Sequence, residues 1–209
     1  MLINLLLASV ILINFSLAAA GRAAQLIRRA ALQGAILGLI LLLLHEKWPP
    51  HVLLMAGLAI AIKGVAIPWL LAQALNRTKD QRRGEPKPSV GYMLSTVLLA
   101  GVTFLAFLLA RTLYAQGEGL FITASLATLF TGFLLLTTRR SAILQVAGYL
   151  VLENGVFLFG LLLVKKMPLL AMSGTLLDLA VGIFAVAIVV NHMQQIHDSH
   201  GAKRTTGLK

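Results

Sequence analysis

Apolar residues form long runs along this 209-residue chain, and short polar segments separate them. Seven runs are about 18–25 residues long, which at 1.5 Å per residue lets an α-helix cross a bilayer core of about 30 Å. We place them at residues 2–20, 25–44, 52–75, 92–113, 120–137, 143–164 and 168–192. The pattern predicts an all-α fold, a polytopic bundle of about seven transmembrane helices.

The longest polar segment between apolar runs covers residues 76–91 and contains Pro86 and Pro88. It divides the chain into two groups of predicted helices. We expect a three-helix N-terminal part over residues 1–75, a cytoplasmic linker over 76–91 and a four-helix part over 92–192, followed by a basic cytoplasmic tail over 193–209.

The composition agrees with a membrane protein, because 58% of the residues are hydrophobic and 12% are charged, whereas a soluble domain has about 25% charged residues. The chain has 18 Lys and Arg against 7 Asp and Glu. These basic residues lie in short segments between apolar runs and not on basic faces with interleaved aromatics, so nucleic acid is not a predicted partner. Their distribution is better explained by the orientation of the predicted helices in the membrane.

Cytoplasmic loops of membrane proteins are enriched in Lys and Arg. With the N-terminus outside, the cytoplasmic side receives thirteen basic residues and the opposite side four. The thirteen are Arg22, Arg28, Arg29, Arg77, Lys79, Arg82, Arg83, Lys87, Arg139, Arg140, Lys203, Arg204 and Lys209; the four are Lys47, Arg111, Lys165 and Lys166. The distribution predicts an N-out, C-in orientation.

Three charged residues lie deep inside predicted spans, away from the span ends: Lys63 in the third, Glu153 in the sixth and Asp178 in the seventh. A charge at the centre of a membrane helix costs roughly 2.5–3.5 kcal/mol, so each is a functional candidate. Counted from the predicted cytoplasmic boundary, each lies about 20 Å along its helix, which predicts one common layer. Buried Lys, unlike Arg, can lose its proton. We therefore predict a proton relay of Glu153, Asp178 and Lys63, with a purely structural role in holding helices together as the alternative.

Three further residues are candidates for supporting this relay. Tyr149 lies four residues before Glu153, on the same helix face, and could donate a hydrogen bond to it. Asn154 could orient the carboxylate or instead connect two helices. Pro68 follows Lys63 by five residues and is expected to kink or loosen the third span.

Small and hydroxyl-bearing residues in the spans predict helix contacts and local backbone bonds. The glycines suggest close helix contact, either within the chain or with a neighbouring subunit; they are Gly34 and Gly38 in a G-x-x-x-G arrangement, and Gly148, Gly155 and Gly160. Hydroxyl groups of the fifth span are expected to bond to their own helix backbone; they belong to Thr123, Ser125, Thr128 and Thr131.

The chain has no cysteine, so it supplies no thiolate for an iron–sulfur cluster. The five histidines show no standard metal-ligand spacing, and no nucleophile–base pair or phosphate loop is present. We assign this chain no metal, no cofactor and no catalytic centre, and whether the protein acts within an enzyme depends on its partners.

From Arg139 onward the sequence reads RRSAILQVAGYLVLENGVFLFGLLL, and this stretch resembles the second membrane helix of the K subunit of respiratory complex I. Arg139, Arg140, Gly148 and Asn154 fall on matching positions. The family places its Glu two residues after the Gly, whereas Glu153 comes five residues after Gly148. In the next span Asp178 and Gly182 match a family pattern of an acid four residues before a Gly, with Asp here in place of Glu.

A closer resemblance is to component E of the hydrogenase-4 type of formate hydrogenlyase, whose C-terminal half is similar to the K subunit. That family has the string G-Y-x-x-x-E-N-G, as the segment from Gly148 to Gly155 does here. It also carries a Lys followed five residues later by a Pro, as Lys63 and Pro68 do. Its Asp helix reads D-x-x-x-F-A-V, and Asp178 is followed by Phe-Ala-Val after a slightly longer gap.

The resemblance implies a membrane subunit of a complex I-related, membrane-bound nickel–iron hydrogenase in a bacterial or archaeal cytoplasmic membrane. Its implied partners are antiporter-like and H-subunit-like membrane chains, a peripheral hydrogenase arm and lipids. The nickel–iron centre and iron–sulfur clusters would belong to partner subunits. Two alternatives stay open: a K-like or C-like subunit of a multisubunit sodium/proton antiporter, and a structural adaptor between larger membrane subunits.

Overall fold

The computed structural model describes residues 1–44, 50–79, 90–113 and 119–164. These residues form helices and no strands, which confirms the all-α prediction for the described part of the chain. The helices are α1 (Leu2–Ala18), α2 (Ala23–Leu43), α3 (Pro50–Ala59), α4 (Ile67–Lys79), α5 (Tyr92–Leu113), α6 (Gly119–Thr138) and α7 (Ala142–Val164), and a π-helical segment (Ile60–Ala66) joins α3 to α4. The predicted seventh span, the basic tail and most of the predicted linker lie outside the described residues.

The first six predicted spans each correspond to a helix, or to the run from α3 through α4. Five of them are long and apolar enough to cross a membrane, namely Ala23–Leu43, Val52–Asn76, Tyr92–Thr112, Gly119–Thr138 and Ala142–Leu162. Helix α1 is apolar but has 17 residues, which at 1.5 Å per residue is about 26 Å. The helices indicate a membrane protein, while seven spans and the N-out orientation stay predictions.

Several helix ends meet at one end of the bundle, which we call the Arg-rich end. The guanidinium of Arg139, just after α6, donates to the carbonyl of Ala18 at 3.2 Å, so α1 and α6 end at one level. It also lies 5.0 Å from the centroid of the Tyr92 ring, at the start of α5. Helices α2 and α7 begin at this end, close to Arg22, Arg139 and Arg140.

The N-terminal helices and the later helices pack into one bundle, since α1 contacts α6 and α2 contacts α7. Two buried apolar clusters fill it. The cluster nearer the Arg-rich end, here the Arg-side cluster, includes Leu17, Ala23, Ile27, Ala30, Leu71, Leu75, Ile143, Leu144 and Leu150. The cluster towards the opposite end, here the far-side cluster, includes Leu7, Val10, Leu37, Ile40, Ala56, Ala59, Phe157, Leu158 and Leu161.

Glycines let helix backbones approach at two crossings. A Cβ built on Gly132 of α6 would lie 2.1 Å from the backbone nitrogen of Leu152 in α7, and one on Gly34 of α2 would lie 3.0 Å from the carbonyl oxygen of Lys63. Of the glycines predicted to mark close contacts, Gly34, Gly38, Gly148 and Gly155 do so within the chain, whereas Gly160 faces open space. Close approach matters in a membrane because packing, and not the hydrophobic effect, holds helices together.

Candidate functional site

The centre of the bundle contains a buried ion pair between the π-helical segment and α7. The ammonium Nζ of Lys63 lies 3.0 Å from Oε1 of Glu153, and the two side chains are 5% and 1% exposed. The same ammonium lies 4.8 Å from the centroid of the Phe157 ring, a favourable cation–π distance. Removing each ion from water costs several kcal/mol, so both charges can persist here only by compensating each other.

Lys63 reaches this position through an irregular stretch of helix. The N–H of Ile67 donates to the carbonyl of Ile62, five residues back, as in a π-helix. Pro68 follows directly and has no N–H with which to continue such bonds. The expected disturbance near Pro68 is therefore a π-helical segment, a feature that is frequent at functional sites. Gly34 leaves room for the Lys63 backbone to lie against α2.

A chain of hydrogen-bonded side chains lies beside the ion pair and joins four helices. Asn154 of α7 donates from Nδ2 to Oε1 of Gln33 in α2 at 3.3 Å, and Gln33 donates from Nε2 to Oδ1 of Asn14 in α1 at 2.8 Å. Asn14 donates from Nδ2 to the Thr128 hydroxyl of α6 at 2.8 Å. That hydroxyl donates to a backbone carbonyl one turn earlier. We call these four residues the amide network, and all are almost fully buried.

The ion pair and the amide network form one polar layer between the two apolar clusters. Their chemistry differs, because a carboxyl group and an amine can each bind and release a proton, whereas a primary amide does not. Each residue of the amide network donates a hydrogen bond to the next one, and the last donor, the Thr128 hydroxyl, bonds to a backbone oxygen. The network therefore holds helices together at one level, while the capacity for proton transfer resides in Lys63 and Glu153.

A small cavity adjoins the ion pair and has about 10 Å³ of space for the centre of a water molecule. This is close to the volume that one buried water needs, about 10–15 Å³. The polar groups on its wall belong to Lys63, Glu153 and Asn154. Its apolar lining consists of Ile27, Ala30, Pro68, Leu71 and Leu150.

The structure brings some of the predicted site residues together. Lys63 and Glu153 are in direct contact, and Pro68 and Asn154 border the cavity beside them. Tyr149 is half-buried on α7, one turn before Glu153. Asn154 connects α7 to α2 through Gln33, which is the helix-connecting arrangement anticipated as one of its two options. Asp178 lies outside the described residues, so its place in the predicted relay stays a prediction.

Two residues of the polar layer, Asn14 and Gln33, were missed by the sequence analysis. Each is an amide inside an otherwise apolar run, and such residues commonly form hydrogen bonds between membrane helices, so the signal was available. The hydroxyl groups expected to bond their own helix do so: Thr123, Ser125, Thr128 and Thr131 all donate to the carbonyl four residues earlier. Among the residues that the structure describes, no three His, Asp or Glu side chains group as a metal site would require.

Comparison with known proteins gives one informative match. The chain is 30% identical over 175 residues to the uncharacterised protein Rv0085 of Mycobacterium tuberculosis, and the match covers 82% of this chain and 79% of that protein. The chain belongs to the same family as Rv0085. No protein-family model matches it, and no solved structure does.

Proposed function

We propose that this chain is a membrane subunit of a complex I-related, membrane-bound nickel–iron hydrogenase of the formate hydrogenlyase type, in a bacterial or archaeal cytoplasmic membrane. In this proposal Lys63 and Glu153 form a proton-transfer site in the middle of the subunit, and Asp178 extends the relay. The observation that carries the proposal is the 3.0 Å contact between a buried amine and a buried carboxylate.

The contact is short enough for a direct proton step. In the ion-paired state the proton resides on Nζ of Lys63 and the Glu153 carboxylate is negative. Transfer of that proton to Oε1 gives a neutral amine and a neutral carboxylic acid, so the total charge of the pair is unchanged. A charge that approaches from a partner subunit would favour one of the two states, because Coulomb interactions are strong in a low-dielectric interior. The pair can therefore couple an electrical event to a proton position.

The position of Glu153 supports the resemblance to the K subunit. The family's Glu, two residues after the Gly, would fall at position 150 of this chain. Leu150 and Glu153 lie one turn apart on α7 and both line the same cavity. A carboxylate at either position would thus border the same cavity, which supports relating Glu153 to the Glu of that family despite the shift of three residues.

In the proposed assembly the redox chemistry belongs to other chains. A nickel–iron centre and iron–sulfur clusters require several thiolate ligands, and this chain has no cysteine. The proposed partners are antiporter-like and H-subunit-like membrane chains together with the peripheral hydrogenase arm.

The assembly is tested by purifying the tagged chain from its native membrane in mild detergent. Mass spectrometry and metal analysis should find a nickel–iron catalytic chain and iron–sulfur subunits in stoichiometric amounts. Isolation with antiporter subunits and without nickel would instead support a sodium/proton antiporter, and would refute the hydrogenase assignment.

The role of the ion pair is tested by Glu153→Gln, which preserves the shape of the side chain but cannot bind a proton as a carboxylate can. We expect an assembled complex whose coupled proton movement in membrane vesicles, measured with a pH-sensitive dye, falls by about tenfold or more, as for loss of a general acid–base group. Glu118→Gln, which removes an acid from a predicted loop, is the matched control. Normal coupling in Glu153→Gln, or loss of assembly in place of coupling, would favour the structural adaptor.

A further inference from the structure

The cavity beside the ion pair lies on one side of the polar layer only. In α2 the lining residues Ile27 and Ala30 precede Gly34, which contacts Lys63. In α4 Leu71 follows Lys63, and in α7 Leu150 precedes Glu153. Because α2 and α7 begin at the Arg-rich end and α4 runs towards it, all these residues lie between the ion pair and that end.

The opposite side of the ion pair is closed by apolar packing. The Phe157 ring lies against the Lys63 ammonium, one turn beyond Glu153. Behind it the far-side cluster contains fully buried side chains of α1, α2, α3, α6 and α7, among them Leu37, Leu158 and Leu161. On this side the space next to the ammonium is therefore filled by an aromatic ring, whereas on the Arg-rich side it is a water-sized cavity.

Small side chains occur among larger ones between the cavity and the Arg-rich end. Ala23, Ala74 and Ala147 belong to the Arg-side cluster together with larger groups such as Leu75 and Leu144. Leu150 lies eight residues after the start of α7, which places the cavity about 12 Å from that end. A water that crosses this layer of side chains reaches a cavity bordered by polar groups, whereas on the far side the Phe157 ring lies directly against the Lys63 ammonium.

We propose that this cavity is a binding site for one water molecule and that it gives the Lys63–Glu153 pair access to the aqueous phase from the Arg-rich end only. The bound water would accept from the Lys63 ammonium and donate to the Glu153 carboxylate or to the Asn154 amide oxygen. A proton leaving Lys63 passes to this water, and one arriving through the water restores the ammonium. The inference rests on the proposed proton-transfer function and adds the side from which the pair is reached.

Cysteine accessibility tests the proposal, and the absence of native cysteine gives each variant of this chain a single thiol. Ala30→Cys and Leu71→Cys place thiols in the cavity wall. Ala59→Cys and Leu161→Cys are matched controls of the same residue types and similar burial in the far-side cluster. Ser141→Cys, at the start of α7, reports which vesicle face carries the Arg-rich end.

The full chain, in its native complex, is exposed to silver ions from one face of sealed vesicles at a time, and the free thiol that remains on this chain is counted after denaturation and separation from its partners. A silver ion is small enough for a water-sized site and loses much of its hydration on crossing apolar packing, so we expect the cavity thiols to react about tenfold or more faster from the Arg-rich face than from the other. The far-side thiols should react slowly from the Arg-rich face.

Equal rates from the two faces at Ala30→Cys and Leu71→Cys would overturn the one-sided access, as would far-side thiols that react as fast as the cavity thiols. The measurement does not depend on coupled turnover. One-sided labelling together with normal coupling in Glu153→Gln would support the water site and refute the proposed function. Equal labelling from both faces together with lost coupling in Glu153→Gln would refute the water site alone.

Discussion

Because the Lys63–Glu153 pair is buried, single and double substitutions in it should change the free energy of unfolding by clearly different amounts. Lys63→Met keeps an unbranched chain against the Phe157 ring but leaves the Glu153 carboxylate, 1% exposed, without its compensating charge. Breaking a buried pair in this way costs about 3–5 kcal/mol, whereas replacing both partners by apolar or neutral groups of similar volume is close to neutral. We therefore expect Lys63→Met to lose about 3–5 kcal/mol, and Lys63→Met with Glu153→Gln to lose about 1 kcal/mol or less.

Reversible unfolding in mixed micelles, followed by helical circular dichroism on the purified chain, measures these differences. Arg111→Met is the control, because Arg111 is an exposed cation at the end of α5 and its loss should change stability by about 0.5 kcal/mol or less. The reasoning fails if Lys63→Met behaves like Arg111→Met. It also fails if the losses of the two single variants simply add in the double variant, since additivity would mean that the two groups do not interact.

Two further predictions concern the packing around the site. Gly132→Ala should destabilise the chain by about 1–3 kcal/mol, as overpacking does, because its Cβ would overlap the Leu152 backbone; Gly160→Ala, which meets open space, should not, and the same unfolding assay compares them. Gln33→Leu should cost about 1–3 kcal/mol by leaving its buried amide partners, including Asn154, unsatisfied, and a Gln33→Leu variant as stable as the native chain would exclude the amide network as a stabilising element.

The sequence was sufficient to predict the described helices and the common level of Lys63 and Glu153. Each long apolar run has a single physical interpretation at its length, and six of the predicted spans appear as helices. Counting residues from the predicted boundary put Lys63 and Glu153 in one layer, and their side chains meet at 3.0 Å. Such counting works because helical rise is constant at about 1.5 Å per residue.

The sequence was insufficient to predict the local helix type around Lys63 and the contacts that depend on how two helices are placed relative to each other. Nothing in the apolar run around Lys63 distinguishes an α-helix from a π-helix, since the difference is one shifted hydrogen bond near Pro68. The amide network requires knowing which faces of α1, α2, α6 and α7 turn towards one another, and a helix with apolar residues on most faces gives little indication of this. The G-x-x-x-G of Gly34 and Gly38 predicted a contact but not that its partner would be the Lys63 backbone.

The amide network and the ion pair depend on each other for a reason specific to lipid. Apolar helix surfaces pack almost equally well in neighbouring registers, because lipid chains are as apolar as leucine and no hydrophobic gain selects one. A slip of one turn, about 5.4 Å, would separate Asn154 from Gln33 and leave buried amides without bonds. That penalty fixes α7 against α2, and Gly34 fixes the Lys63 backbone against the same helix. The distance between Lys63 and Glu153 therefore depends in part on α2, which carries neither member of the pair, so substitutions at Gln33 should alter the geometry of the proposed proton transfer without removing Lys63 or Glu153.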